Sequence, residues 1–122
     1  MTIFIKEVGN ISYDNLRLSI LEIFSITIEK IKKRGKVNFR DKSILDIYIP
    51  VYDEIIANDV IHINRILKVL DHALDSTKNM EAKVGRAKFL DTKGVGITDP
   101  GAFSTTLILK EFFKEFVNEK NN

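Results

Sequence analysis

The sequence predicts an all-α protein built from four to five antiparallel amphipathic helices. Three observations carry that expectation. Apolar residues recur at intervals of three and four along most of the 122 residues. The segments that show this period end in recognisable helix signals. The chain is 44% apolar and has no cysteine, so a buried core rather than a covalent framework must hold it together.

Met1 to Val8 is short and apolar, and reads equally as a strand or as the tail of a helix. The segment GNISYDN then breaks the pattern and offers Ser12 or Asp14 as an N-cap. From Leu16 to about Lys33, one face carries Leu16, Ile20, Phe24, Ile28 and Ile31, widened by Leu21 and Ile23. The alternation in IFSITI has a strand-like look, but the length and the terminal Lys-Lys-Arg-Gly favour a helix ended by Gly35.

A polar loop, GKVNFRDK, leads to a second helical segment from Ser43 to Ala57. Its face is marked by Leu45, Tyr48, Ile49, Tyr52, Ile55 and Ile56, and Pro50 predicts a kink or interruption. His62 to Val84 forms a third, with Ile63, Ile66, Leu67, Leu70, Leu74 and Thr77 in register and Gly85 as its stop. After a Gly-rich loop, Asp99 as N-cap and Pro100 at the first helical position open a fourth helix running to about Val117. Phe103, Leu107, Ile108, Phe112, Phe113 and Phe116 give it a broad apolar face. The tail NEKNN is polar.

Composition narrows the function. Residues 1–122 fit one domain, and 30% charged residues fit a soluble globular chain. No apolar run reaches the ~18 residues of a membrane span, and the N-terminal segment has no secretory signal pattern. A cytoplasmic protein is expected, with no membrane partner. A net charge of +2 gives no broad basic face for nucleic acid. The KIKKRGK cluster reads most simply as cations at a helix C-terminus.

The Val84–Ile108 stretch holds four of the six glycines. Asp99-Pro100-Gly101 at a helix start leaves backbone N–H groups that favour an anion such as phosphate, and Gly101 removes a Cβ from a ligand's approach. Gly94 and Gly96 permit a sharp turn, and Arg86 offers a planar cation. The competing reading is ordinary capping and loop punctuation. His62 and His72 lack metal-ligand spacing. Asp41, Asp46, Asp53 and Asp59 are scattered and read as solvated. No nucleophile-and-base pair stands out, so no catalytic residue is assigned.

Two blocks taken together go further. KKRGKVNFRDKSILDIYIP (Lys32–Pro50) and GRAKFLDTKGVGITDPGAFSTTLIL (Gly85–Leu109) resemble, in order and spacing, two blocks of the L-subunit, or nucleotide-binding, domain of dihydroxyacetone kinases. The resemblance covers residues 16–117 best. It implies part of a barrel of eight antiparallel helices with ADP or ATP at one end. Gly35 and Ile44 would lie near the adenine, and Arg86, Asp99, Pro100 and Gly101 would line the same pocket. Lys42, Asp46 and Pro50 would have structural roles.

The family holds two magnesium ions on a Gly-Asp-Gly-Asp-His-Gly type loop, followed by a Gly-Gly-Ala-Ser-Gly motif at the phosphates. Neither is present here, and MTIFIKEV resembles the segment that follows the second motif. The chain therefore looks like the C-terminal half of such a domain, with no metal-binding residue of its own. Mg²⁺ would bind only with the N-terminal half supplied. Arg40 stands where the family has Gly, and Ile44 where it has Met. The partners implied are a K subunit carrying dihydroxyacetone, a phosphotransferase-system M subunit, and the complementing N-terminal half or a second copy. The alternative is a non-catalytic, self-associating helical protein from a truncated or split gene.

Overall fold

A computed structural model describes the backbone of residues 13–82 and 94–121, with side chains over 15–82 and 94–115. Four α-helices make up most of it: α1 (Tyr13–Gly35), α2 (Leu45–Ala57), α3 (Ile63–Ser76) and α4 (Pro100–Asn121). A 3₁₀ turn, Thr77–Asn79, extends α3. The chain is all-α among the described residues. Met1–Val8 and Ser12 lie outside them, and Asp14 falls within α1 rather than at its cap.

α2 is the central element. It packs against α1, α3 and α4, and α3 also packs against α4. Contact on several sides explains why its buried residues, Leu45, Asp46, Ile47, Val51 and Ile55, spread beyond the face expected from sequence. Ile56, placed on that face by periodicity, is exposed. Pro50 does not interrupt the helix, which is continuous from Leu45 to Ala57. Only five helical residues precede Pro50, so its missing donor falls close to the helix start, where the ladder is short.

The core joins all four helices. Ile20 and Phe24 of α1, Ile47 and Val51 of α2, Leu70 of α3 and Phe113 of α4 are among its buried members. Phe24 stacks edge-on against Tyr48 at 5.2 Å between ring centroids and against Phe113 at 6.5 Å. Such aromatic pairs contribute about 0.5–1.5 kcal/mol beyond their area. Arg17 ties α1 to the end of α2 by donating from Nε to the Asn58 carbonyl and from Nη2 to that of Ile55, each at 2.9 Å. A cation on terminal carbonyls is also favourable to the helix dipole.

α4 docks differently from its hydropathy pattern. Its buried line is Ala102, Thr106, Leu109 and Phe113, whereas Phe103, Leu107 and Ile108 are exposed. Small side chains at Ala102 and Thr106 let the helix sit close, and Thr106 satisfies its hydroxyl on the Ala102 carbonyl at 2.8 Å. Ile23 of α1 is likewise exposed rather than part of the core face. Between α1 and α4 lies an open groove of about 380 Å³, lined by Ile20, Ile23, Phe24, Tyr48, Ile108 and Phe112 among others.

α3 ends earlier than Gly85 suggested. Ser76 and Thr77 turn their hydroxyls back onto the carbonyls of Ala73 and Leu74, at 2.6 and 2.7 Å, and Thr77 is fully buried. The helix thus closes on its own side chains.

Candidate functional site

The loop between α1 and α2 meets the loop leading into α4, and the joint is polar. It starts where α1 stops. Gly35 is the last helical residue, but the left-handed residue that turns the chain is Lys36, at φ 52°. Arg40 (φ 74°) and Lys42 (φ 63°) are left-handed as well. Side chains with a Cβ pay roughly 1–2 kcal/mol for that conformation.

The strain at Arg40 is held by Asp46. Its carboxylate accepts from the backbone N–H of Arg40 and from that of Ser43, the latter at 2.9 Å. Ser43 reciprocates: its carbonyl accepts the Asp46 N–H at 3.0 Å and its hydroxyl the Leu45 N–H at 3.2 Å. Ser43 and Asp46, three apart, thus close the turn that leads into α2. Asp46 is 1% exposed, so it is not solvated as its sequence context implied. Burial raises its pKa, opposed by the N–H groups of Ser43, Arg40 and Lys42 and by the Arg40 charge.

Lys42 crosses from this loop to the other. Its ammonium donates to the carbonyls of Gly94 and Ile97, the latter at 2.5 Å, and the residue is 1% exposed. Burial lowers its pKa, while the Asp99 carboxylate acts in the opposite direction. The receiving loop turns on Gly94 and Gly96, at φ 80° and 99°, values that favour glycine. It is pinned to the end of α3 twice: Gly96 N–H donates to the Lys78 carbonyl at 2.7 Å, and Asp99 N–H to the Thr77 hydroxyl at 3.2 Å.

α4 then begins as its sequence indicated. Asp99 Oδ2 accepts the Ala102 N–H at 2.9 Å, its carbonyl accepts the Phe103 N–H at 2.9 Å, and Pro100 is the first helical residue. One first-turn donor is therefore already claimed by a carboxylate. A Cβ on Gly101 would lie 3.2 Å from Asp99 Oδ2 and 3.3 Å from Ile44 Cγ2. Asp99 and Ile44 fill that direction from within, so the absence of a side chain serves internal packing.

Of the residues singled out from sequence, the structure brings Ile44 against Gly101, with Asp99 and Pro100 in the same turn. Gly35 is exposed, and a Cβ added there would meet Val37 at 3.5 Å. Arg86 lies outside the described residues. Sequence reasoning missed the clamp made by Lys42 and Thr77, because a lysine in a polar loop carries no hydropathy signal. It also missed Val95 and Ile97, which leave apolar surface exposed on the loop beside the α4 start. Exposed apolar side chains beside a helix start suit the base of a nucleotide. A magnesium ion is another matter: among the described residues, no three His, Asp or Glu side chains gather to hold one.

No helix among the described residues is long and apolar enough to cross a membrane. Comparison with known proteins gives a consistent family. The DAK2 domain model matches residues 4–114. The ADP-binding subunit DhaL of PEP-dependent dihydroxyacetone kinase 1 from Listeria innocua is 32% identical over 89 residues, covering 73% of this chain and 42% of that protein. The corresponding ADP-binding subunit DhaL from Escherichia coli K12 is 25% identical over 97 residues, 75% of this chain and 46% of its own length. The match thus spans less than half the length of either relative. With a family match across nearly its whole length, converging on the two blocks that Lys42 ties together, the chain belongs to the DAK2 domain family.

Proposed function

We propose that this chain forms one wall of an ADP- or ATP-binding site in a dihydroxyacetone kinase-type phosphotransferase. Ile44, Val95 and Ile97 give the base an apolar surface, and Gly35 is a further residue on the adenine side. The Asp99-Pro100-Gly101 turn and Arg86 serve the phosphates. The observation that carries this reading is the buried Lys42 clamp, which fixes the two family blocks against each other where they would face one ligand. The nucleotide, when bound, supplies the transferable phosphoryl group. The magnesium-holding carboxylates come from outside these 122 residues, and the K and M subunits are the implied partners. The chain is not active alone, because phosphoryl transfer needs metal to neutralise the β- and γ-phosphates.

Isothermal calorimetry tests this with ADP and Mg²⁺, using the chain alone and then with the N-terminal half of a relative. Metal-dependent binding that appears or strengthens on adding that half supports the reading. No binding in either case overturns it.

A second reading, self-association without catalysis, is favoured by the α1–α4 groove. Ile23 and Ile26 on α1 and Ile108 on α4 are large, apolar and 45–60% exposed. A second copy covering them would remove apolar surface from water. Light scattering decides: a dimer dissociated by Ile108→Glu supports this reading, and a monodisperse monomer ends it.

A further inference from the structure

Between Lys30 and Arg40 the chain carries six cations and no carboxylate. Lys30, Lys32, Lys33, Arg34, Lys36 and Arg40 are all exposed, and none forms a salt bridge among the described residues. The other thirteen cations of the chain face seventeen carboxylates. Positive charge is therefore concentrated along this stretch of the sequence, although the net charge is small.

Helix capping accounts for part of this cluster. Lys32, Lys33 and Arg34 occupy the last turn of α1, where cations complement the dipole. That effect fades beyond the terminal turn and does not account for Lys36 or for Arg40, whose charge also acts on the buried Asp46. Both lie past the helix, and both adopt left-handed backbone that glycine would take without strain. The chain thus keeps a positive charge at two positions where its backbone favours glycine. The same stretch runs directly into Lys42 and Ile44, the side of the joint that meets Gly101.

We infer that this basic collar captures the polyphosphate of a nucleotide at long range and raises its rate of arrival at the joint. The inference rests on the nucleotide reading above. Exposed cations act here through their summed field rather than through fixed contacts, so they speed encounter and leave dissociation unchanged.

The test is stopped-flow fluorescence with N-methylanthraniloyl-ADP and the full chain. The variant is Lys30→Gln/Lys33→Gln/Lys36→Gln, and Lys114→Gln, an exposed cation of α4, is the control. At about 20 mM salt, kon for the triple variant is expected to fall roughly fivefold to tenfold, with koff unchanged and the control like wild type. At about 0.5 M salt, where screening shortens to a few ångströms, the difference disappears. Equal kon at low salt overturns the inference, and so does a raised koff, which would mean direct contact with bound nucleotide. In either case the nucleotide reading stands. Absence of any binding by wild type, both alone and with the N-terminal half of a relative supplied, overturns both.

Discussion

The hydrocarbon core and the polar joint hold the same four helices by opposite means. In the core, Ile20, Val51, Leu70 and Phe113 are buried with no polar atom to satisfy, and contact is tolerant of direction. At the joint, Lys42, Asp46 and Thr77 are as deeply buried, yet each carries a polar group that must find a partner. The core sets how strongly the helices associate. The joint sets which loop atoms face one another, because a misplaced hydrogen bond there costs about 1–3 kcal/mol.

The largest separation comes from paired truncations. Phe113→Ala is expected to cost about 3–5 kcal/mol, by transfer and cavity terms, with no change in the pH profile of urea unfolding. Lys42→Met is expected to cost about 2 kcal/mol, because the Gly94 and Ile97 carbonyls lose their donor. It also changes the pH profile. The folded state holds fewer protons on Lys42 than the unfolded state between its lowered pKa and 10.5, so wild-type stability gains from Lys42 as pH rises through that window. Lys42→Met removes that gain. Asp46 works in the reverse sense: its raised pKa stabilises the fold below 3.8, and the contribution is lost as pH rises through the folded value. An unaltered alkaline profile in Lys42→Met would show that the lysine is not buried as a charge.

Smaller effects refine the comparison. Asp99→Ala removes the α4 cap and is expected to cost about 1 kcal/mol in urea denaturation. Arg40→Gly should go the other way, stabilising by about 0.5–1 kcal/mol, because the left-handed backbone no longer strains a side chain. If Arg40→Gly destabilises, its side chain contributes more than its backbone costs.

The two regions also differ in how far the sequence disclosed them. Periodicity located all four helices, and Asp99-Pro100 located the start of α4 to the residue. Periodicity failed where packing ignored size: α4 buries Ala102 and Thr106 and exposes Phe103 and Leu107, which a hydropathy pattern ranks the other way. It failed again at the end of α3, where Thr77 closes the helix before any glycine arrives. At the joint, Ser43 and Asp46 stand three apart at the entry to α2, a spacing legible in principle. The Lys42 bonds to residues more than fifty positions away were not, since only the folded chain brings those carbonyls near. Resemblance to two blocks pointed to the family that the comparisons show, while the physical tie between those blocks emerged from the structure alone.

The pins at Thr77 and Lys78 bear on how the chain tolerates change in length. Asp99 and Gly96 are fastened to the end of α3, so the connection between α3 and α4 leaves and returns at one point. The register between α3 and α4 is therefore set by four residues, Thr77, Lys78, Gly96 and Asp99, rather than by the length of chain that separates them.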